Sequence, residues 1–98
     1  MGSVFFLPAA AAELLAAQEW YDTRAGGLGD RFFAAVDSLL PRIGENPRQF
    51  PLAYDDLRRA LVTRFPYALF FRTEAEGIYV VACAHTSRTP FYWQQVRQ

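Results

Sequence analysis

Residues 57–85 read "LRRALVTRFPYALFFRTEAEGIYVVACAH", and the spacing of apolar side chains in this stretch decides the fold. Upstream of it, apolar residues recur at helical intervals. From Leu57 onward the period falls to about two, the signature of strands whose side chains alternate between faces. Three consecutive strands are predicted: 57–65, 67–73 and 78–85. Glu74-Ala75-Glu76-Gly77 supplies the hairpin turn between the second and third. The "IYVVACA" run is apolar on both faces, which predicts a central strand. Arg58, Arg64 and Arg72 punctuate the other two, so one side of the sheet is expected to be partly charged.

Working outward, "GENPRQFPLAYDD" (44–56) reads as loop, with Gly44 as a helix C-cap and Asn46-Pro47 and Pro51 as breakers. Before it, Phe32, Phe33, Val36, Leu39, Leu40 and Ile43 form an apolar stripe on a helix capped by Asp30. Pro41 lacks an amide donor, so a kink or a tightened turn is expected there. "AGGLGD" (25–30) separates this helix from an alanine-rich one over 9–24 that turns Ala10, Leu14, Ala17 and Tyr21 to one side. The two helices form an antiparallel hairpin. "SVFFLP" (3–8) is a short β-prone run stopped by Pro8. The expected fold is therefore α+β: an N-terminal strand, an antiparallel helical hairpin, then a three-stranded antiparallel meander, all in one domain spanning 1–98.

Composition narrows the function classes. The 98 residues carry 52% hydrophobic side chains and nine phenylalanines, which excludes a disordered chain. No apolar stretch approaches a membrane span, and no positive charge precedes "SVFFLPAAAA", so neither a transmembrane helix nor a secretory signal is expected. Phe6 and Leu7 stand where a myristoylation motif needs Ser or Thr. One cysteine (Cys83) and one histidine (His85) cannot build a structural zinc site, and "GGLG" lacks the strand-turn-helix setting of a phosphate loop. A cytoplasmic protein without metal or cofactor is expected. The net charge is zero, yet all ten basic residues are arginine. Residues 57–98 hold six of them against two acids, which suits an anionic partner.

Five stretches in order resemble the RelE/ParE superfamily of bacterial toxins from type II toxin–antitoxin modules: "EWYD" (19–22), "GLGDRF" (27–32), "IGENPRQFP" (43–51), "RRALVTRFPYALFF" (58–71) and "AHTSRTPFYW" (84–93). The resemblance covers nearly the whole chain and implies the same α+β fold. It also implies a cognate antitoxin as partner, in a hetero-oligomer, and one of two activities. ParE-like members inhibit DNA gyrase; RelE-like members cleave mRNA on the ribosome.

The residues favour the first branch. Cleavage of RNA needs a base for the 2′-hydroxyl, positive charge on the phosphorane and an acid for the leaving oxygen. Nuclease members often carry an arginine on the second meander strand, and Ala68 occupies that place. A chain without net positive charge is poorly equipped for a phosphate-dense target. "RFPYALFF" and the closing Arg88-Thr89-Pro90 with Trp93 resemble ParE-like segments. If the chain were a nuclease, His85, Arg88 and Tyr92 would be its catalytic candidates. In the binding reading, His85 finishes the strand, bonded to backbone or to a carboxylate, and Cys83 is inert. Arg58, Arg59, Arg64, Arg88 and Trp93 are then the expected partner-binding residues, and Tyr92 and Trp93 pack over the sheet. An apolar groove awaiting the antitoxin is also expected, leaving the lone chain toxic, poorly soluble or both.

Overall fold

The computed structural model describes residues 2–87. Its elements run β1 (Val4–Phe6), α1 (Pro8–Arg24), α2 (Leu28–Glu45), a single 3-10 turn (Pro47–Gln49), β2 (Leu52–Tyr54), β3 (Leu57–Leu61), β4 (Tyr67–Glu74) and β5 (Gly77–His85). The strands form one five-stranded sheet in the order β1-β5-β4-β3-β2. β3, β4 and β5 make the antiparallel meander, while β1 joins its far edge parallel to β5. Central placement of β5 follows from its apolar residues on both faces.

The sheet departs from the three-stranded meander in two ways. β2 extends it on the other edge, pairing antiparallel with β3 inside a segment expected to be loop. β3 also stops at Leu61 instead of Phe65. Arg64 adopts φ +70°, a left-handed turn conformation that cannot continue a strand. The chain reverses over 62–67, with the Val62 amide donating to the Tyr67 carbonyl at 2.9 Å.

Both helices pack on one face. Ala10, Leu14, Ala17 and Tyr21 of α1 are all buried, as are Phe32, Val36, Leu39 and Ile43 of α2. They meet Ala60, Leu69, Phe71, Ile78, Val80 and Cys83 of the sheet, and Val62 just past β3, in one core. Phe33 leaves the expected stripe: it is 42% exposed, because the arc that reaches the sheet is narrower than six residues. A second apolar cluster, Leu57, Ala68, Phe70, Val81, Ala82 and Ala84, lies on the opposite face. Arg58 and Arg72 do not share a side of the sheet. Arg58 pairs with Phe71, whose neighbour Arg72 points the other way.

Two backbone-amide contacts set the helices. α2 begins at Leu28 behind Gly27, which takes φ +82°, so Asp30 sits in the first turn and does not cap. The carboxylate that serves this end comes from α1: the Gly29 amide donates to Asp22 Oδ1 at 2.8 Å. Gly44 lies within the last turn of α2, and Asn46 is the C-cap. The Gly44 carbonyl accepts from the Gly2 amide at 2.9 Å. The helix runs through Pro41 to Glu45, with that ring on the exposed side.

Candidate functional site

A groove of about 840 Å³ opens between α1 and the adjacent ends of β4 and β5. Ala16 and Ala17 make one wall low, because small side chains keep the helix surface back. Trp20 stands at the rim, 49% exposed, with the Arg24 guanidinium 4.2 Å above its ring. Tyr21 and Tyr67 form part of the floor, continuous with Phe32 and Phe65. The four rings meet edge-on or tilted, with centroids 5.0 to 6.0 Å apart. Such geometry aligns ring edges with ring faces and makes a stiff base. Burial raises the Tyr21 phenol above its ordinary range, and nearby Tyr67 adds to this.

The far wall is the end of β5, and its orientation depends on a bulge. Phe70 pairs with Ala82 but Phe71 pairs with Val80, so Val81 is an extra residue. An extra residue reverses side-chain parity downstream. Ile78 and Val80 face the helices before it; Cys83 faces them after it, and His85 follows Cys83 into the groove wall. Without the bulge, His85 would emerge on the other side.

β1 ends at Phe6 opposite Val80, which leaves the later part of β5 without a strand on that side. The Cys83 amide there donates to Glu13 Oε1 of α1 at 2.9 Å. The Cys83 thiol is pushed up to about 12, chiefly by burial and then by the Glu13 charge. It is unreactive at neutral pH.

His85 closes the strand. Its Nδ1 accepts from the Ser87 amide at 3.1 Å and lies 2.8 Å from the Ser87 hydroxyl. Its ring meets Tyr67 edge-on at 5.3 Å. The Thr86 amide donates to the Pro66 carbonyl at 2.9 Å, tying the strand end to the preceding turn. No carboxylate bonds to the imidazole among the described residues.

The arginines expected to act together are dispersed. Arg58 Nη1 donates to the Phe50 carbonyl at 2.7 Å, on the side of the helices. Arg59, one residue on, is exposed on the opposite face, and Arg64 occupies the exposed turn after β3. Arg88, Tyr92 and Trp93 lie outside the described residues. The residues brought together instead are Glu13, Trp20, Tyr21, Tyr67, His85 and Ser87. Of these only His85 was singled out from sequence for a role. Trp20 and Tyr21 carried a signal, standing beside each other in "EWYD" on a helix whose other large apolar residues are Leu14 and Leu15. Among the described residues no helix is long and apolar enough to cross a membrane.

The helical hairpin on one face of a mixed five-stranded sheet is a fold found in a solved structure. A solved structure described as a chromosomal ParDE TA system from P. aeruginosa contains a chain that superposes with a TM-score of 0.77. The match covers 87% of this chain and 96% of that one, at 19% identity. No protein-family profile matches the sequence. No curated protein matches it either.

Proposed function

We propose that the chain is the toxin of a type II toxin–antitoxin module, that it inhibits DNA gyrase by surface contact, and that a cognate antitoxin neutralises it. The fold it shares with a chain of a ParDE system supports the toxin–antitoxin part of this reading. The observation that carries the choice of target is Ala68. It stands where the resemblance places a phosphate-gripping arginine, and it is 0% exposed against Ala84 on the face away from the helices. A buried methyl group neither neutralises a phosphorane nor moves a proton.

His85 adds a second argument. A backbone amide only donates, so the Nδ1 it reaches carries no proton, and the neutral ring is the Nε2–H tautomer. Among the described residues no carboxylate bonds to that ring to hold it as a general base for a 2′-hydroxyl. Arg58 is tied to Phe50, and among the described residues no cluster of arginines supplies the charge that a ribosomal target demands.

The antitoxin docks in the groove, with Trp20 and the Tyr21/Tyr67 floor as anchors. Exposed tryptophan beside a stiff aromatic floor is the kind of surface that carries binding energy. Arg59, Arg64, Arg88 and Trp93 are left for the gyrase contact. The test is to add purified chain to a gyrase supercoiling reaction and to a translation reaction programmed with defined mRNA. Blocked supercoiling with intact message is expected. Message cut in the ribosomal A site, with supercoiling unaffected, would assign the RelE-like endoribonuclease activity instead.

A further inference from the structure

We propose that His85 is a positioning residue: its neutral ring latches the exit of β5, and protonation opens the latch and weakens whatever occupies the groove. The partner named here rests on the antitoxin reading above. The latch itself rests on geometry alone.

Nδ1 accepts from the Ser87 amide at 3.1 Å, which closes a tight turn directly after the last strand residue. Ser87 and His85 both line the groove, so this turn sets the shape of its wall. Adding a proton to Nδ1 places one N–H against another. The Ser87 hydroxyl, 2.8 Å away, can then rotate to accept from Nδ1, but the amide loses its partner. The turn thus has two hydrogen-bonding states selected by one proton. In the second, a backbone donor at the groove edge must turn toward water or toward the occupant.

His85 is the one imidazole in the chain. Glu13 and Tyr21 reach the groove from α1, Tyr67 from β4 and Cys83 from β5, with Arg24 over Trp20 at the rim. Burial raises the Tyr21 phenol and pushes the Cys83 thiol up to about 12. His85→Asn removes the only imidazole in the chain, which separates protonation of this ring from every other change with pH.

Two measurements decide it. Long-range 15N–1H correlation of the His85 ring in the labelled full chain is expected to show unprotonated Nδ1 and protonated Nε2 at pH 8. The Ser87 amide is expected to shift as the ring titrates. The Nδ1–H tautomer, or a Ser87 amide that ignores the titration, overturns the latch. Antitoxin affinity is then measured from pH 8 to pH 5 for three chains. The native chain is expected to weaken about three- to tenfold, the worth of one hydrogen bond. His85→Asn places an amide oxygen near Nδ1 and does not titrate, so it binds as tightly as the native chain at pH 8 and stays flat. His85→Gln sets its amide one bond too far and binds weakly at every pH. Equal pH dependence in the native and Asn chains would refute control of the groove. Absence of antitoxin binding at all pH values would reject the antitoxin reading, while the ring correlations still judge the latch.

Discussion

Gly29→Ala isolates the contact that holds the helical hairpin, and with it one wall of the groove. In an ordinary helix the change stabilises by about 0.5–1 kcal/mol, because glycine loses more backbone freedom on folding. Here the added Cβ would stand 2.5 Å from the Gln18 carbonyl oxygen and 2.5 Å from Asp22 Cγ. The Asp22 side chain can swing away, at the cost of its bond from the Gly29 amide. The Gln18 carbonyl belongs to the backbone of α1 and moves only if the helix moves. Overpacking of this kind costs about 1–3 kcal/mol, and a lost hydrogen bond about 1 kcal/mol more. The net expectation is destabilisation by about 1–3 kcal/mol, or a fall in Tm of about 5–20 °C for a domain this size. Gly26→Ala is the control, since nothing lies within 4 Å of its Cβ. Thermal denaturation of both variants, of Asp22→Ala and of Asp22→Ala/Gly29→Ala provides the assay. Recovery of the double variant to the Asp22→Ala level would show that the carbonyl contact is not limiting. A Gly29→Ala chain as stable as Gly26→Ala would refute the close approach altogether.

Three further outcomes are expected. Phe71 is fully buried at the centre of the sheet, and Phe71→Ala should cost about 3–5 kcal/mol, enough to abolish cooperative unfolding in a denaturant titration. Trp20→Ala should leave the unfolding midpoint within about 0.5 kcal/mol of native, because the side chain is half exposed, yet lower antitoxin affinity at least tenfold by calorimetry. Burial holds the Cys83 thiol near 12 against an ordinary 9.0. Its folded value is the higher one, so its contribution is complete below pH 9 and is lost as pH rises from 9 toward 12. Denaturant midpoints should therefore fall more steeply above pH 9 in the native chain than in Cys83→Ala.

Where side-chain period carried the information, the sequence was readable. The α1 face Ala10, Leu14, Ala17, Tyr21 and the three meander strands needed only spacing, and "IYVVACA" announced a strand buried on both sides. That same double-sided apolarity hid the bulge. With no polar residue to mark a face between Ile78 and Ala84, a change of parity at Val81 leaves no trace in the pattern. β2 was hidden for the opposite reason. Three residues between Pro51 and Asp55-Asp56 show no alternation, and an edge strand so short is fixed by its partner β3. Groove contacts such as Glu13 with the Cys83 amide join positions 70 apart, a distance that no local signal spans. Asp22 and Gly29 are only seven positions apart, but the role of this carboxylate arises from the crossing of two helices, which no helical period marks. Arg58, Arg59 and Arg64 show the reverse error. Close in sequence, they were expected to form one surface, but strand alternation and a left-handed turn send them to three places.

The central claim is that this chain disables gyrase and leaves message intact. Brief induction in a bacterial host, with transcript ends and chromosome breaks mapped from the same culture, tests it most directly. Broken chromosomes with an SOS response and uncut mRNA, all suppressed by co-expressed antitoxin, are the predicted result. Codon-phased cuts in translated mRNA with unbroken chromosomes would contradict it.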